Sequence, residues 1–232
     1  MEYELWDLYD KDRNPTDEVV LRGTRIPRGK YHIVVECMIL DRENRILITK
    51  RSPGKHHAFS WECTTGSIMS GEDSLTGVIR EIKEETGLDV PRENIDLIRS
   101  EVTDRTIRDT YLACIDHIDL SKVVLQPGET IDAKTCTLDQ FQNEEFDEAD
   151  SNAAFLVAQY SRLRSVLGKI MTVRDKRFGI QEEQQETIPV HTKKTGLARQ
   201  PSERKLSATI PSDCHIVQSD GPLRKAVSDA DV

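Results

Sequence analysis

The feature that most limits what this chain can fold into is a capped, amphipathic segment between residues 66 and 88. Asp73-Ser74 offers an N-cap, and Gly87 followed by Leu88 fits a helix end in which glycine takes the left-handed conformation. Four aliphatic residues between these ends recur three and four positions apart, as on one helix face: Leu75, Val78, Ile79 and Ile82. We therefore predict one helix from about Ser74 to Thr86, with a loop before it.

Three glutamates lie on one flank of this predicted helix. At about 100° per residue, the side chains of Glu81, Glu84 and Glu85 project from one side, roughly a third of a turn from the apolar stripe. A solvated acidic face is the ordinary explanation of such a run, but like charges at these spacings repel by roughly a few tenths of a kcal/mol per pair. A divalent cation removes that repulsion, and Mg²⁺ is usually shared between a few carboxylates and substrate phosphates. The cluster therefore predicts a metal site that acts on a phosphate ester.

The whole segment resembles the signature of a known hydrolase family. It reads Gly66, five residues, Glu72, seven residues, and then Arg80-Glu81-Ile82-Lys83-Glu84-Glu85-Thr86-Gly87-Leu88. This matches every defined position of the Nudix box, G-x5-E-x7-R-E-U-x-E-E-x-G-U, where U is aliphatic. The resemblance implies a Nudix fold of the α/β (α+β) class, in which a mixed β-sheet is sandwiched between helices. It also implies hydrolysis of a diphosphate bond with Mg²⁺ as cofactor, or with Mn²⁺ in its place.

The same resemblance implies roles for individual residues of the box. Glu81, Glu84 and Glu85 would bind the metal, and one of them would help to deprotonate the attacking water. Arg80 would hold a glutamate in place through a bidentate pair, and Glu72 would be a further candidate metal ligand that supports the site from the loop side.

Two glycines fit the loop that precedes the predicted helix. At Gly66 and Gly71 a side chain would block a close approach of the backbone to metal or substrate phosphate, although an ordinary turn would equally explain both. Many family members add a carboxylate from a later loop. Glu129 is the candidate here, with Glu144-Glu145 as the alternative, and each could also be a plain surface glutamate.

Segments outside the box resemble the Nudix branch related to isopentenyl diphosphate isomerases. They comprise residues 4–10, Tyr31-His32, residues 50–55 and Trp61-Glu62. The alternative function is therefore an isomerase that uses a cysteine such as Cys63 and a glutamate. The histidines His32, His56 and His57 would then be candidate metal ligands. The intact box favours hydrolysis, and Thr65-Gly66 departs from the Gly-Gly that is common before it.

A third hypothesis is a catalytically silent Nudix module that binds a nucleotide or a protein partner. Such a module would be expected to lose its glutamates, and all of them are present here. For the hydrolase, the box binds the diphosphate whatever is attached to it. The candidate substrates are therefore nucleoside diphosphate derivatives, nucleoside triphosphates and isoprenoid diphosphates, with Trp61 or Phe59 as residues that could stack a base.

Strand patterns surround the box. Residues 31–40 are β-branched and almost continuously apolar, which predicts a strand in the centre of a sheet. A polar turn and a second strand at residues 45–51 predict a hairpin, and shorter strands are expected at 95–98 and 110–115. Five residues at helical spacing predict a closing amphipathic helix over residues 153–170: Leu156, Tyr160, Leu163, Leu167 and Ile170.

The last part of the chain differs in composition from the first. Residues 1–165 hold 21 Lys+Arg against 32 Asp+Glu, a net charge of −11, whereas residues 166–232 hold 11 against 9, a net charge of +2. From about residue 181 the chain is polar and lacks apolar periodicity, so it cannot bury enough apolar surface to fold alone. We therefore predict a catalytic domain over residues 1–170 and a polar, disordered tail over residues 171–232.

Charge and cysteine content restrict the partners and the compartment. The net charge of −9 argues against nucleic acid polymers and membrane surfaces as partners. The partner that the resemblance implies is a small-molecule diphosphate substrate, with a homodimer left open. The five cysteines are odd in number and lack paired spacing, and neither a signal peptide nor a run of about 18 apolar residues occurs. These features predict a cytoplasmic protein.

Overall fold

A computed structural model of the protein describes residues 3–143 and 161–180. Internal contacts divide the chain into residues 1–184 and residues 185–232, and the second unit lies outside the described residues. The same is true of Glu144-Glu145 and of Cys214. Among the helices of the described part, none combines the length and the apolar character needed to cross a lipid bilayer.

The described residues form nine strands, three helices, a further helical segment at residues 161–164 and two short 3-10 turns. The strands are β1 Leu5–Tyr9, β2 Pro15–Leu21, β3 His32–Asp41, β4 Arg45–Arg51, β5 Trp61–Glu62, β6 Thr64–Ser67, β7 Ile95–Val102, β8 Thr106–Ile115 and β9 Thr130–Thr137. The helices are α1 Ser74–Thr86, α2 Leu138–Asn143 and α3 Leu167–Phe178, and the turns are Arg92–Asn94 and Leu120–Lys122.

Strand β3 lies at the centre of a seven-stranded mixed sheet. The main order is β5-β4-β3-β8-β7, while β6 pairs with β3 and β9 pairs with β4. The β3–β8 pair is parallel, and the other pairs of this sheet are antiparallel. This arrangement confirms the central position predicted for residues 31–40. The predicted hairpin is also present, with Ile39 opposite Leu47.

The sheet separates two hydrophobic cores, because successive side chains of a strand point to opposite faces. On one face, Val35 and Cys37 of β3 pack in the same cluster as Val78 and Ile82 of α1. On the other face, Met38 and Leu40 pack with residues of α2 and α3, such as Phe141 and Ile170. The mixed sheet sandwiched between helices is therefore confirmed.

A separate hairpin of β1 and β2 was not anticipated from the sequence. Its strands pair from Leu5 opposite Leu21 to Tyr9 opposite Pro15, and most of its side chains are at least partly exposed. It lacks the continuous apolar run that reveals a buried strand. An isolated bridge between Tyr9 and Tyr31 connects it to the start of β3.

The closing helix differs from the predicted one in two ways, because a turn interrupts it and it ends later than residue 170. Residues 161–164 are helical, a turn follows, and α3 then runs from Leu167 to Phe178, while residues 153–160 lie outside the described residues. The apolar positions Leu163, Leu167 and Ile170 are buried, as the spacing predicted.

The boundary predicted at residue 170 is too early, because α3 continues beyond it. Val173 and Phe178 pack against the core, and Arg174 is buried with its guanidinium bonded to Asn44 and Asp175. The few apolar residues of this segment lie among charged ones, so its composition did not indicate a helix. Residues 171–178 belong to the folded domain, and residues 181–232 of the predicted tail lie outside the described residues.

Candidate active site

A cavity of about 380 Å³ opens beside the loop and helix of the box. Predicted site residues line it, with the exception of Glu72. They are Gly66, Arg80, Glu81, Glu84, Glu85 and Glu129. Five cationic residues from outside the motif also line the cavity: Arg22, Arg51, Lys55, Arg108 and Arg162.

Helix α1 has the bounds and caps that the sequence predicted. The Asp73 carboxylate accepts a hydrogen bond from the Thr76 amide at 2.6 Å, and Gly87 closes the helix with a φ of 72°. Gly77, which the sequence reading did not single out, brings the helix close to the preceding loop. A Cβ atom there would lie 2.5 Å from Cγ2 of Ile68. The three glutamates therefore project from a helix that packs closely against the loop between β6 and α1.

Glu85 is the most deeply buried of the three glutamates. It is 6% exposed, and its Oε2 atom has no hydrogen-bond partner among the described residues. Burial raises the pKa of its carboxyl group well above the ordinary value, and the nearby charges of Glu62 and Glu81 raise that pKa further. An unpartnered carboxylate oxygen in a cavity wall destabilises the folded protein unless a cation or a hydrogen-bond donor satisfies it.

Arg80 binds three glutamates at once. Its Nε and Nη2 atoms donate to the two oxygens of Glu72 at 2.8 and 3.0 Å, and its Nη1 atom donates to Glu81 at 2.9 Å and to Glu84 at 3.1 Å. Burial lowers the pKa of this guanidinium, but its hydrogen bonds to Glu72 and the charge of Glu81 outweigh that effect and raise the pKa. Arg80 thus stays charged and fixes Glu81 and Glu84 relative to each other.

Glu72 stands apart from the other glutamates. The Arg80 guanidinium occupies both of its oxygens, and Oε2 also accepts the Met69 amide at 2.8 Å. Its carboxylate is part-buried outside the cavity lining. The structure therefore places Glu72 with Arg80 and apart from the glutamates that line the cavity, and three of the roughly four acceptor positions of its carboxylate are occupied.

Gly66 lies directly against the carboxylate of Glu81. A Cβ atom at Gly66 would come within 2.0 Å of Glu81 Cδ, so any side chain there would displace that carboxylate. Burial raises the pKa of Glu81, although Arg80 opposes this shift. Gly71 has a φ of 84° and open space around it, which is the behaviour of a turn glycine.

Glu129 lines the cavity and forms an ion pair with Lys55.

A further carboxylate, Glu62, had entered the sequence reading only through the resemblance of Trp61-Glu62. It is buried, and Arg51 Nη1 donates to its two oxygens at 2.6 and 2.8 Å. Burial raises the pKa of Glu62 to about 7, despite the opposing charge of Arg51.

Residues considered for an isomerase are mostly away from the cavity. Cys63 is 1% exposed within the hydrophobic core, and burial raises the pKa of its thiol well above the ordinary value. His32 is buried and stacks on Trp6 with ring centroids 4.1 Å apart, and burial, Arg108 and Arg22 lower its pKa to about 4. Only His56 and His57 of these residues line the cavity.

The two aromatic residues considered for base stacking are also outside the cavity lining. Trp61 is buried in the core, where its ring lies beneath the amino groups of Lys50 and Lys134. Phe59 is exposed and has a positive φ of 66°.

A second group of potential metal ligands lies at the turn between β3 and β4. Ligand atoms of Asp41, Glu43 and His117 lie within 4.8 Å of one another. The Nη2 atom of Arg45 is 2.7 Å from Asp41 Oδ2, 2.7 Å from His117 Nδ1 and 3.1 Å from Glu43 Oε2. The Arg45 guanidinium therefore already occupies the place that a cation would take.

Comparisons with known proteins point in one direction. The sequence profile of the NUDIX domain matches residues 30–157. An uncharacterized Nudix hydrolase of Listeria innocua is 29% identical over 141 residues, which cover 60% of this chain and 83% of the relative. Its counterpart in Listeria monocytogenes is 28% identical over the same coverage. The crystal structure of protein DR0079 from Deinococcus radiodurans matches the fold with a TM-score of 0.50 and 18% identity, covering 61% of this chain and 88% of that one.

Proposed function

The chain belongs to the NUDIX domain family and is a hydrolase of phosphoric anhydride bonds, and from this premise we propose that it cleaves a diphosphate linkage with Mg²⁺. The substrate class is a nucleoside diphosphate derivative or a nucleoside triphosphate. One observation supports this most strongly. Three glutamates from one turn of α1 line a single cavity, and the buried Oε2 atom of Glu85 has no partner among the described residues.

The residues present fit a hard divalent cation. Glu81, Glu84 and Glu85 supply only oxygen atoms, which Mg²⁺ and Mn²⁺ prefer, and no thiol of the described residues lines the cavity. Arg80 neutralises part of the charge of Glu81 and Glu84 but makes no hydrogen bond to Glu85. A cation held there would polarise a phosphoryl oxygen and lower the pKa of water.

The other groups of the site position these carboxylates. One of the three glutamates accepts a proton from the attacking water. Arg80 fixes the positions of the Glu81 and Glu84 carboxylates, and Glu72 holds Arg80. Gly66 leaves room for the carboxylate of Glu81. This division of roles moves Glu72 from the metal ligands expected at first to the residues that support them.

Two observations weigh against the alternative functions. An isomerase of the cysteine-dependent kind would need Cys63 at the cavity, but Cys63 is packed in the core. A silent module would not require the carboxylates to converge in one cavity.

The cavity volume also suits a small molecule, because ligand sites typically measure about 300–1,000 Å³. A homodimer and a cytoplasmic location remain predictions from the sequence.

The proposed function is tested by incubating the purified chain with nucleoside triphosphates, nucleoside diphosphate sugars and isopentenyl diphosphate. We expect release of phosphate-containing products with Mg²⁺ and none with excess EDTA. Glu85→Gln should lower kcat by about 100-fold or more, because it removes a ligand that stabilises developing charge.

Glu93→Gln is the matched control, since Glu93 is an exposed glutamate outside the cavity and its loss should leave kcat unchanged. Near-native activity of Glu85→Gln at saturating Mg²⁺ would contradict the proposal. Conversion of isopentenyl diphosphate to its isomer would instead support the isomerase.

A further inference from the structure

Arg108 is an unusually unsatisfied cation in the cavity wall. It projects from β8, and its side chain is only 20% exposed. Within the described part of the chain, its guanidinium makes one ion pair, with Glu36 Oε2 at 3.5 Å, and no hydrogen bond. A guanidinium has five N–H donors, so most of its hydrogen-bonding capacity is available at the cavity.

Arg162 approaches the same carboxylate from the helical turn before α3. Its Nη2 atom lies 3.4 Å from Glu36 Oε2, and its buried Nε atom has no partner among the described residues. Glu36 is 1% exposed, and its other oxygen accepts a hydrogen bond from Thr110 Oγ1 at 2.9 Å. One oxygen of Glu36 therefore holds two guanidinium groups, and we call Arg108 and Arg162 the arginine pair.

The arginine pair carries a surplus positive charge. Its two cations share one carboxylate, and the adjacent Arg99 and Glu101 neutralise each other at 3.1 Å. Burial and the like charge of Arg162 lower the pKa of Arg108, even though Glu36 raises it. An anion at this place would relieve the repulsion between the two guanidinium groups and satisfy their open donors.

The arginine pair and the glutamates line the same cavity, and strand pairing brings the backbones that carry them close together. Val34 of β3 has Ser67 of β6 as its partner on one side and Arg108 of β8 on the other. Neighbouring strands are about 4.8 Å apart, so the backbones at Ser67 and Arg108 are separated by roughly 10 Å. The carbonyl of Ser67 binds Arg80, the residue that holds Glu81 and Glu84. One extended polyphosphate can therefore reach from the glutamates to the arginine pair.

We propose that the arginine pair binds a terminal phosphate of the substrate, beyond the two phosphates of the cleaved linkage. This inference rests on the proposed function and narrows its substrate class to compounds such as nucleoside triphosphates. Glu36 is a positioning residue, because it orients both guanidinium groups without lining the cavity itself.

Binding without metal tests the arginine pair apart from catalysis. Inorganic tripolyphosphate is titrated into the chain in EDTA by calorimetry. Arg108→Gln and Arg162→Gln should each weaken binding by about 10-fold. Arg92→Gln, which removes an exposed arginine outside the cavity, should leave binding unchanged. Equal affinity of all four proteins overturns the inference.

Steady-state kinetics with Mg²⁺ give the second measurement. Arg108→Gln and Arg162→Gln should each raise KM for a nucleoside triphosphate by about 10-fold with little change in kcat, because the contact is made equally in ground state and transition state. KM for a nucleoside diphosphate sugar, which has no terminal phosphate, should not change. Equal increases of KM for both substrates would overturn the inference.

Two controls keep this result separate from misfolding and from failure of the proposed function. Arg108→Lys and Arg162→Lys keep the charge, so they should recover part of the tripolyphosphate affinity at an unchanged melting temperature. If the native chain hydrolyses nothing in the panel, the proposed function fails. The metal-free titration then still decides whether the arginine pair binds a polyphosphate.

Discussion

At the scale of single residues, the site depends on a few side chains whose positions are imposed by neighbours with no chemical role. Gly66 has no side chain, and the carboxylate of Glu81 occupies the space that one would need. Arg80 connects Glu81 and Glu84 to Glu72. Residue types at the right spacing could be read from the sequence, whereas the contact between Gly66 and Glu81 could not.

Gly66→Ala should separate activity from stability. The new methyl group would meet the end of the Glu81 side chain, which can shift more easily than backbone, so the free energy of unfolding should fall by only about 1 kcal/mol, the low end for overpacking. The displaced carboxylate would leave its place in the site, and we expect kcat with Mg²⁺ to fall at least 10-fold.

Gly54→Ala provides the matched control, because a Cβ atom at Gly54 has open space around it. Urea unfolding and initial rates should be measured for both variants. A Gly66→Ala protein that keeps native kcat would show that the position of Glu81 does not matter for the reaction.

At the scale of secondary structure, α1 was predictable because all of its signals are local. Its cap at Asp73, its apolar spacing and its end at Gly87 lie within 15 residues of sequence. α3 was only partly predictable. Its buried positions Leu167 and Ile170 follow the expected spacing, but Arg174 is buried against Asn44, and such tertiary burial of a charged residue has no local signal.

Truncation at two points tests the revised end of the folded domain. Ending the chain after residue 180 keeps α3 and all of the box, so melting temperature and kcat should stay close to native. Ending it after residue 170 removes Val173, Arg174 and Phe178 from the core, and the free energy of unfolding should fall by about 3 kcal/mol or more.

The two truncated chains serve as controls for each other in a thermal unfolding series. If the shorter chain were as stable as the longer one, α3 would not belong to the folded domain. If the longer chain lost most of its activity at an unchanged melting temperature, residues 181–232 would contribute to the reaction.

At the scale of the whole molecule, the cavity is assembled from segments far apart in sequence. The glutamates come from one short segment and were predicted, but Arg108 and Arg162 meet Glu36 from 72 and 126 positions away. Pairing across such distances follows from the β3–β8 register and from the closing helical turn. Without that topology, neither arginine stands out from the other charged residues of the sequence.

Buried carboxylates should make the stability of the metal-free protein depend on pH. The pKa of Glu62 is raised from 4.5 to about 7, first by burial and then by Glu129, against the charges of Arg51 and Lys55. The carboxyl group of Glu62 binds a proton more readily in the folded chain than in the unfolded chain. The stability it contributes is therefore fully present below pH 4.5 and is lost as the pH rises through about 7.

Urea unfolding in EDTA between pH 5 and pH 8 measures this effect. Relative to Glu62→Gln, the native chain should lose on the order of 2 kcal/mol across that range. Glu85, whose pKa is also raised, acts in the same direction in both proteins. Parallel stability profiles for the native chain and Glu62→Gln would show that Glu62 titrates normally.

The position of β3 between both cores also bears on how the chain is made. During synthesis the box emerges before β8, before the turn that carries Arg162 and before α3. A nascent chain that has released only residues 1–100 holds every glutamate of α1 but lacks the parallel partner of its central strand. The glutamates of the cavity are thus translated early, whereas the arginine pair that we propose to bind a phosphate is complete only after residue 162 has left the ribosome.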